Sequence, residues 1–134
     1  MANRLSINYE KKPCYDIVFA SDFGGLLEEL QDLGVKERRA AIIADDNTAA
    51  LFGEEVRKIL NDNCKKVILY SFPAGEEHKT LDTVKAIYKT LIEEKFDRKD
   101  LLIALGGGVV GDVTGDAAAT YLRGIDCSQI PTTL

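Results

Sequence analysis

The sequence predicts an α/β protein with a Rossmann-like parallel sheet and helices on both faces of that sheet. Two observations lead to this prediction. Short apolar runs typical of strands alternate with longer segments in which apolar residues recur at helical spacing. In addition, the run LLIAL at residues 101–105 is apolar throughout, as expected of a central parallel strand covered on both faces.

Strand and helix signals follow one another along the whole chain. The helix predicted at 79–95 has the clearest pattern, since its apolar residues form one stripe: Leu81, Val84, Ile87, Tyr88, Leu91 and Ile92. The predicted strands are residues 15–20, 39–44, 66–72, 101–105 and 127–130. The other predicted helices are residues 23–33, a segment capped by Asp46 and Asn47, and residues 109–122.

Composition narrows the class of protein. The net charge of −5, with both signs mixed along the 134 residues, argues against a nucleic-acid partner, which favours a basic stripe. No apolar run approaches the length of about 20 residues that spans a membrane. The three cysteines form no CxxC pair, which favours a reducing compartment and structural thiols. We therefore expect a cytoplasmic protein.

The glycine turn GGGVVGD at residues 106–112 is the sharpest chemical feature. It follows the buried strand and opens a helix, so its main-chain N–H groups and the helix dipole favour a phosphate or pyrophosphate there. Residues 106, 108 and 111 also satisfy GxGxxG, which is weak evidence by itself. Asp126 has the spacing of a ribose-binding acid, but it precedes a strand. The alternative is a purely structural turn with close helix–sheet packing.

Two further polar loops follow predicted strands. Asp45, Asp46 and Asn47 come after the strand at 39–44, where a carboxylate is placed to bind ribose hydroxyls; the alternative is simple helix capping. The segment at 75–79, GEEHK, follows the strand at 66–72; the alternative is a solvated charge cluster. Since all three loops follow parallel strands, we expect them at one edge of the sheet, where such sheets bind ligands.

Longer runs resemble the 3-dehydroquinate synthase family. The run at 104–134 carries GGGVVGD, then TG, YLRG and QIPTTL, which is similar to that family's signature. PAGEEHK at 73–79 resembles its P-x-G-E-x-x-K segment, and IADDN at 43–47 resembles its D-x-N loop. Asp116 departs from the pattern, because the family most often has a bulky apolar residue there; we expect Asp116 to be exposed or paired.

The resemblance implies that this chain binds NAD. Asp45 and Asn47 match positions at the adenosine end, and Asp112 matches a carboxylate near the nicotinamide-side ribose. The resemblance also implies that Arg123 reaches the substrate phosphate. The alternative for Arg123 is a cation that completes the helix dipole. The remaining cofactor positions implied by the family lie in the 75–79 loop, the glycine turn and the final threonine pair: Gly75, Glu76, Glu77, His78, Lys79, Gly107, Gly108, Val109, Val110, Gly111, Thr132 and Thr133.

The family converts 3-deoxy-D-arabino-heptulosonate 7-phosphate, a phosphorylated keto-sugar acid, to 3-dehydroquinate and phosphate in the shikimate pathway. The resemblance implies a homodimer when full-length, and a divalent metal, zinc or cobalt, bound in the carboxyl-terminal half. The chain stops after a strand and a turn, so we expect residues 1–134 to be an NAD-binding domain truncated before the metal-binding catalytic domain. We expect no metal ligands and no catalytic residues in this fragment, and no turnover.

Three other functions stay open at this point. The first is the same half of another sugar-phosphate cyclase. The second is a metal-dependent oxidoreductase of the glycerol dehydrogenase type, whose members also carry a GGG turn but lack YLRG and PTTL. The third is a non-catalytic nucleotide-binding module.

Overall fold

The computed structural model describes residues 3–9, 12–19 and 35–130. These form a six-stranded sheet. Its strands in chain order are β1 (Asn3–Tyr9), β2 (Lys12–Phe19), β3 (Arg39–Asp45), β4 (Lys66–Phe72), β5 (Leu101–Leu105) and β6 (Asp126–Ile130). The predicted helix at 23–33 lies outside the described residues.

Three helices connect the later strands. After β3, a helical turn at Asp46–Thr48 continues through a π-helical turn at Ala49–Gly53 into α1 (Glu54–Asn61). Helix α2 is Leu81–Glu93 and helix α3 is Gly108–Thr120. Short 3-10 turns occur at Val35–Glu37, Glu76–His78 and Tyr121–Arg123.

The strand order is β1-β2-β6-β5-β3-β4. Strand β1 pairs antiparallel with β2, while all pairs from β2 to β4 across the sheet are parallel. From β3 the chain moves outward to β4, then returns to the other side of β3 to form β5 and β6. The strand order therefore reverses between β3 and β5, and their carboxyl ends flank the crevice where open α/β sheets bind ligands.

Apolar side chains cover both faces of the sheet, as the sequence predicts. All five residues of β5 are buried, as expected of a central strand. On one face, Ala41, Leu102 and Ala104 pack with residues of α2 and α3. On the other face, Ile42 and Ile103 pack with residues of α1. The predicted fold class is confirmed, and the antiparallel edge strand β1 is an addition that the periodicity did not indicate.

Helix α2 differs from its predicted form at both ends. The Thr80 hydroxyl accepts a hydrogen bond from the amide of Thr83, so the helix starts at Leu81. At the other end Lys95 has φ 62°, and the amide of Phe96 donates to the carbonyl of Leu91, which closes the helix in a Schellman motif. The buried side of the helix is narrower than the predicted apolar stripe, since two residues of the stripe, Leu81 and Ile92, are 65% and 63% exposed.

The last predicted helix, residues 109–122, also differs. It begins one residue earlier, at Gly108, and ends at Thr120. The following 3-10 turn includes Leu122 in a left-handed conformation (φ 48°, ψ 37°), which the α-helix cannot continue through.

A candidate dinucleotide site at the carboxyl edge of the sheet

Three loops meet at the carboxyl edge of the parallel strands, and side chains join them to one another. The loops after β3 and β4 are joined by the amide of Ala74, which donates to Oδ1 of Asp46 at 3.1 Å. The loops after β4 and β5 are joined by Lys79, whose Nζ lies 2.8 Å from Oδ2 of Asp112. The expectation that the three polar loops share one edge is therefore confirmed.

The first loop is organised by a helix cap. Strand β3 runs through Asp45, one residue beyond its predicted end, and the side chain of Asp45 accepts a hydrogen bond from the amide of Thr48 at 2.8 Å. The prediction that Asp46 and Asn47 cap this helix is wrong, because Asp45 has the extended backbone of an N-cap residue and they lie inside the first helical turn. Asp46 and Asn47 are exposed, and Asp45 is half-buried.

The second loop is a short 3-10 turn fixed from both sides. Gly75 has φ 122°, and a Cβ there would lie 2.6 Å from Oε1 of Glu77, so the turn requires glycine. The amide of His78 donates to the carbonyl of Gly75, and the hydroxyl of Thr83 donates to the carbonyl of His78 at 2.6 Å. Glu76, like Glu77, is exposed at the edge.

The charge of Lys79 is tied to helix α3. The hydrogen bond to Asp112, and then its charge, raise the pKa of Lys79 above the ordinary value of 10.5, with smaller contributions from Glu76 and Asp116. Lys79 and Asp112 are 42% and 46% exposed, so the pair is screened by water and salt. Its main effect is to place a cation beside the first turns of α3. Asp116 is exposed, as expected.

The third loop is the glycine turn. Gly106 has φ 151°, and a Cβ there would lie 2.9 Å from Cγ2 of Val110, so this position requires glycine. Gly107 is the N-cap residue of α3, and as a glycine it has no side chain to accept a hydrogen bond from the first amides of the helix. Among the residues that the structure describes, none has an atom within 4 Å of a Cβ built on either Gly107 or Gly108. The start of α3 is therefore open, and a ligand has room to approach its backbone.

Some main-chain amides of the glycine turn take part in the hydrogen bonds of α3, and others precede them. The first hydrogen bond of the helix runs from the amide of Gly111 to the carbonyl of Gly107 at 3.0 Å, so the amides of Gly108, Val109 and Val110 precede the helical ladder. The side chain of Val110 is buried in the core. Gly111 is buried, and a Cβ there would lie 2.6 Å from Nε2 of Gln129. Gly111 thus allows close helix–sheet packing and uses its amide within the helix.

The structure does not describe every predicted site residue, and it places one of them elsewhere. Thr132 and Thr133 lie outside the described residues, and so does the side chain of Arg123. Asp126 lies at the first position of β6, at the opposite edge, where it pairs with Arg38 at 2.9 Å. Among the residues that the structure describes, no three or more His, Cys, Asp or Glu side chains are grouped to hold a metal ion.

The structure describes the side chains of two cysteines, Cys64 and Cys127. Cys64 is half-buried and Cys127 is buried. Burial raises the pKa of the Cys64 thiol to about 11, which disfavours the nucleophilic thiolate.

Sequence reasoning missed one residue of this edge, Thr48. It is 1% exposed, and its hydroxyl donates to the carbonyl of Leu105 at 3.0 Å, which joins the ends of β3 and β5. The segment DDNT carries a signal that was available: an N-cap aspartate followed three residues later by a threonine that reaches back to it.

The sequence is similar to known 3-dehydroquinate synthases. Residues 69–134 match the family model described as 3-dehydroquinate synthase N-terminal. A 3-dehydroquinate synthase of Acetivibrio thermocellus is 43% identical over 131 residues, which are 98% of this chain and 36% of that protein. One of Streptococcus suis is 41% identical over 135 residues, covering 98% of this chain and 37% of the relative. The chain thus spans about a third of the length of these curated relatives.

Solved structures show the fold. A crystal structure of 2-deoxy-scyllo-inosose synthase has a TM-score of 0.80 at 23% identity over 98% of this chain and 36% of that one. A 2-epi-5-epi-valiolone synthase from Streptomyces hygroscopicus has a TM-score of 0.73 at 27% identity, covering 96% of this chain and 35% of that one. In the described part of the chain, no helix has the length and apolar character needed to cross a membrane. By sequence and by fold, the chain is a member of the 3-dehydroquinate synthase family and matches its amino-terminal domain.

Proposed function

We propose that this chain binds the dinucleotide NAD at the carboxyl edge of its sheet. The observation that carries the proposal is the open start of α3, where no described residue lies within 4 Å of a Cβ built on Gly107 or Gly108. That start lies beside the point where the strand order reverses, and its unpaired amides and helix dipole favour a pyrophosphate. The amides of Gly108 and Val109 are the donors we assign to it.

The charged groups around this opening suit the rest of a dinucleotide. Asp45 and Asn47 follow β3 and would accept hydrogen bonds from the adenosine ribose. Lys79 supplies a cation close to the phosphates, and Asp112 lies on the side we assign to the nicotinamide ribose. The loop that holds Lys79 also contains Glu76, Glu77 and His78. The proposed site further includes Thr132 and Thr133. Gly75, Val110 and Gly111 shape the backbone and the packing around it.

For the whole protein we propose 3-dehydroquinate synthase activity, a phosphate-eliminating cyclisation in the shikimate pathway, carried out in the cytoplasm by a homodimer. Two related cyclase structures support the cofactors: one is described with carbaglucose-6-phosphate, NAD+ and Co2+, and the other with NAD+ and Zn2+. NAD supplies transient oxidation of a substrate carbinol. The divalent metal, and a domain that binds it, lie in our proposal outside this chain. Arg123 is the residue we assign to the substrate phosphate.

The identities favour this activity over the alternatives. The curated 3-dehydroquinate synthases are 41% and 43% identical to the chain, while the solved structures of other cyclases are 23% and 27% identical. An aldehyde reductase structure resembles the fold less closely, with a TM-score of 0.52. The chain also carries YLRG and PTTL, which dehydrogenases of the glycerol dehydrogenase type lack, so that type is the weaker candidate.

Calorimetric titration with NAD tests the proposed site. Gly107→Ala and Gly108→Ala each add one methyl group into open space, so the fold is expected to stay intact while NAD affinity falls by about tenfold or more. Asp45→Ala should also weaken binding. Ala119→Ser is the matched control, because Ala119 is exposed near the far end of the same helix. Absence of NAD binding by the wild-type chain, or wild-type affinity in both glycine variants, would contradict the proposal.

A further inference from the structure

The buried hydroxyl of Thr48 lies between two parts of the proposed site. It accepts a hydrogen bond from the amide of Asp45 at 3.2 Å, and it lies 3.0 Å from the carbonyl oxygen of Leu105. The amide of Thr48 donates in turn to Oδ1 of Asp45 at 2.8 Å. One side chain therefore contacts the residues that end β3 and β5, the two strands between which the strand order reverses.

A single hydroxyl proton limits what Thr48 can do. The hydroxyl oxygen also lies 3.1 Å from Oδ1 of Asp45 and 3.4 Å from the carbonyl of Asp45. The proton goes to one acceptor at a time, and we assign it to the Leu105 carbonyl, because Oδ1 of Asp45 already accepts from the amide of Thr48 at 2.8 Å. This gives a continuous chain of hydrogen bonds from the Asp45 amide through the Thr48 hydroxyl to the Leu105 carbonyl.

The chain of hydrogen bonds reaches the glycine turn directly. Leu105 precedes Gly106, whose φ of 151° starts the turn and whose amide donates to the carbonyl of Ile130 at 3.1 Å. A Cβ on Gly106 would lie 3.4 Å from the Thr48 hydroxyl, so the two residues are packed together. A shift of Thr48 would therefore move both the Asp45 carboxylate and the backbone that leads into the amides at the start of α3.

We propose that Thr48 is a positioning residue that couples the Asp45 carboxylate to the glycine turn, so that one hydroxyl sets the spacing between the ribose-binding acid and the pyrophosphate-binding amides. The coupling is a property of the chain without any ligand. Only its consequence for affinity rests on the proposed NAD function.

Amide hydrogen exchange without ligand tests the coupling. Thr48→Val keeps the shape of the side chain and removes the hydroxyl, and Thr48→Ser keeps the hydroxyl. In Thr48→Val we expect exchange of the Asp45 amide to rise about tenfold and that of the Gly106 amide to rise about threefold or more, relative to amides of α2. Thr48→Ser should restore both. Thr90→Val is the control, because the Thr90 hydroxyl donates to the carbonyl of Ala86 within α2 and, in the described part of the chain, to neither loop.

The outcomes separate coupling from simple stabilisation. A faster Asp45 amide with an unchanged Gly106 amide would show a local cap only and would overturn the inference. Equal acceleration of all amides, α2 included, would show a global loss of stability and would overturn it as well. Failure of Thr48→Ser to restore protection would have the same meaning.

Calorimetry then tests the consequence for binding. Thr48→Val should lower NAD affinity about tenfold, and Thr48→Ser should restore it to within about threefold. A stably folded Thr48→Val chain with wild-type affinity would contradict the positioning role. If the wild-type chain itself does not bind NAD, the proposed function fails, while the exchange experiment still decides whether Thr48 couples the two loops.

Discussion

At the scale of single residues, Lys79 forms an ion pair with one of the acidic side chains at the site. Its nearest acid is Asp112, at 2.8 Å, while Asp116 acts only through its charge. Both side chains of the pair are partly exposed, so the pair organises the loop more than it stabilises the fold. In the proposed complex, the phosphates of NAD would compete with the Asp112 carboxylate for the charge of Lys79.

The ion pair predicts a dependence of stability on pH. Since the pKa of Lys79 is raised in the folded chain, its contribution is complete below the ordinary pKa of 10.5 and is lost as the pH rises through the folded value. Urea unfolding of wild type and Asp112→Asn should therefore differ most below about pH 10 and at low salt, and converge at higher pH. Asp116→Asn should change stability less; an equal effect of both variants would contradict the assignment.

The glycine turn predicts opposite effects of the same substitution two residues apart. Gly106→Ala places a Cβ at a positive φ and 2.9 Å from Val110, so it should destabilise the chain by about 1–3 kcal/mol. Gly108→Ala, in open space at the start of a helix, should be neutral or slightly stabilising. Chemical unfolding of both variants measures the difference, and similar stabilities would be inconsistent with the turn as described.

At the scale of secondary structure, the apolar residues of helix α2 are only partly buried. The spacing of apolar residues predicts the helix, but it does not show which of them face the core. Its core side is set by Val84, Ile87 and Leu91, which are buried against the sheet. Ile92 follows Leu91 directly but is 63% exposed, since a step of one residue rotates a side chain by about 100° around the helix. A stripe drawn too widely on the sequence thus included solvent-facing positions.

The neighbouring pair Leu91 and Ile92 tests this assignment. Leu91→Ala should cost about 2–5 kcal/mol in the free energy of unfolding, because it leaves a cavity in the core. Ile92→Ala should change it by no more than about 0.5 kcal/mol, as at most surface positions. Urea unfolding of the two variants supplies the comparison, and a large loss in Ile92→Ala would mean that this face of α2 is covered in the protein.

At the scale of the whole molecule, the described residues bring three polar loops to one edge of the sheet, and they form no group of His, Cys, Asp or Glu side chains that could hold a metal ion. The opposite edge carries structural contacts, among them Asp100, which is 5% exposed and accepts hydrogen bonds from the amides of Arg39 and Asp97. The edge where we propose that NAD binds is thus separate from the edge that carries structural contacts between strand ends.

We expect the chain to bind NAD without turnover. The purified chain should be stabilised by NAD, with a melting temperature that rises with NAD concentration according to mass action. With NAD, zinc or cobalt, and the phosphorylated keto-sugar acid present, phosphate release should not exceed the rate without protein. A colorimetric phosphate assay measures this, and release above background that disappears in Gly108→Ala would show that this chain alone carries catalysis.

The sequence by itself determined the strand–helix alternation, the buried central strand and the three polar loops, because these depend on residues that are close together in the chain. Loops after parallel strands must share an edge, so even the position of the candidate site followed from local patterns. Tertiary structure alone decided the antiparallel edge strand β1, the pairing of Lys79 with Asp112, and the approach of Gln129 to Gly111. The link from Thr48 to Leu105 spans 57 residues. Contacts at that separation depend on strand order and packing, which no local periodicity encodes.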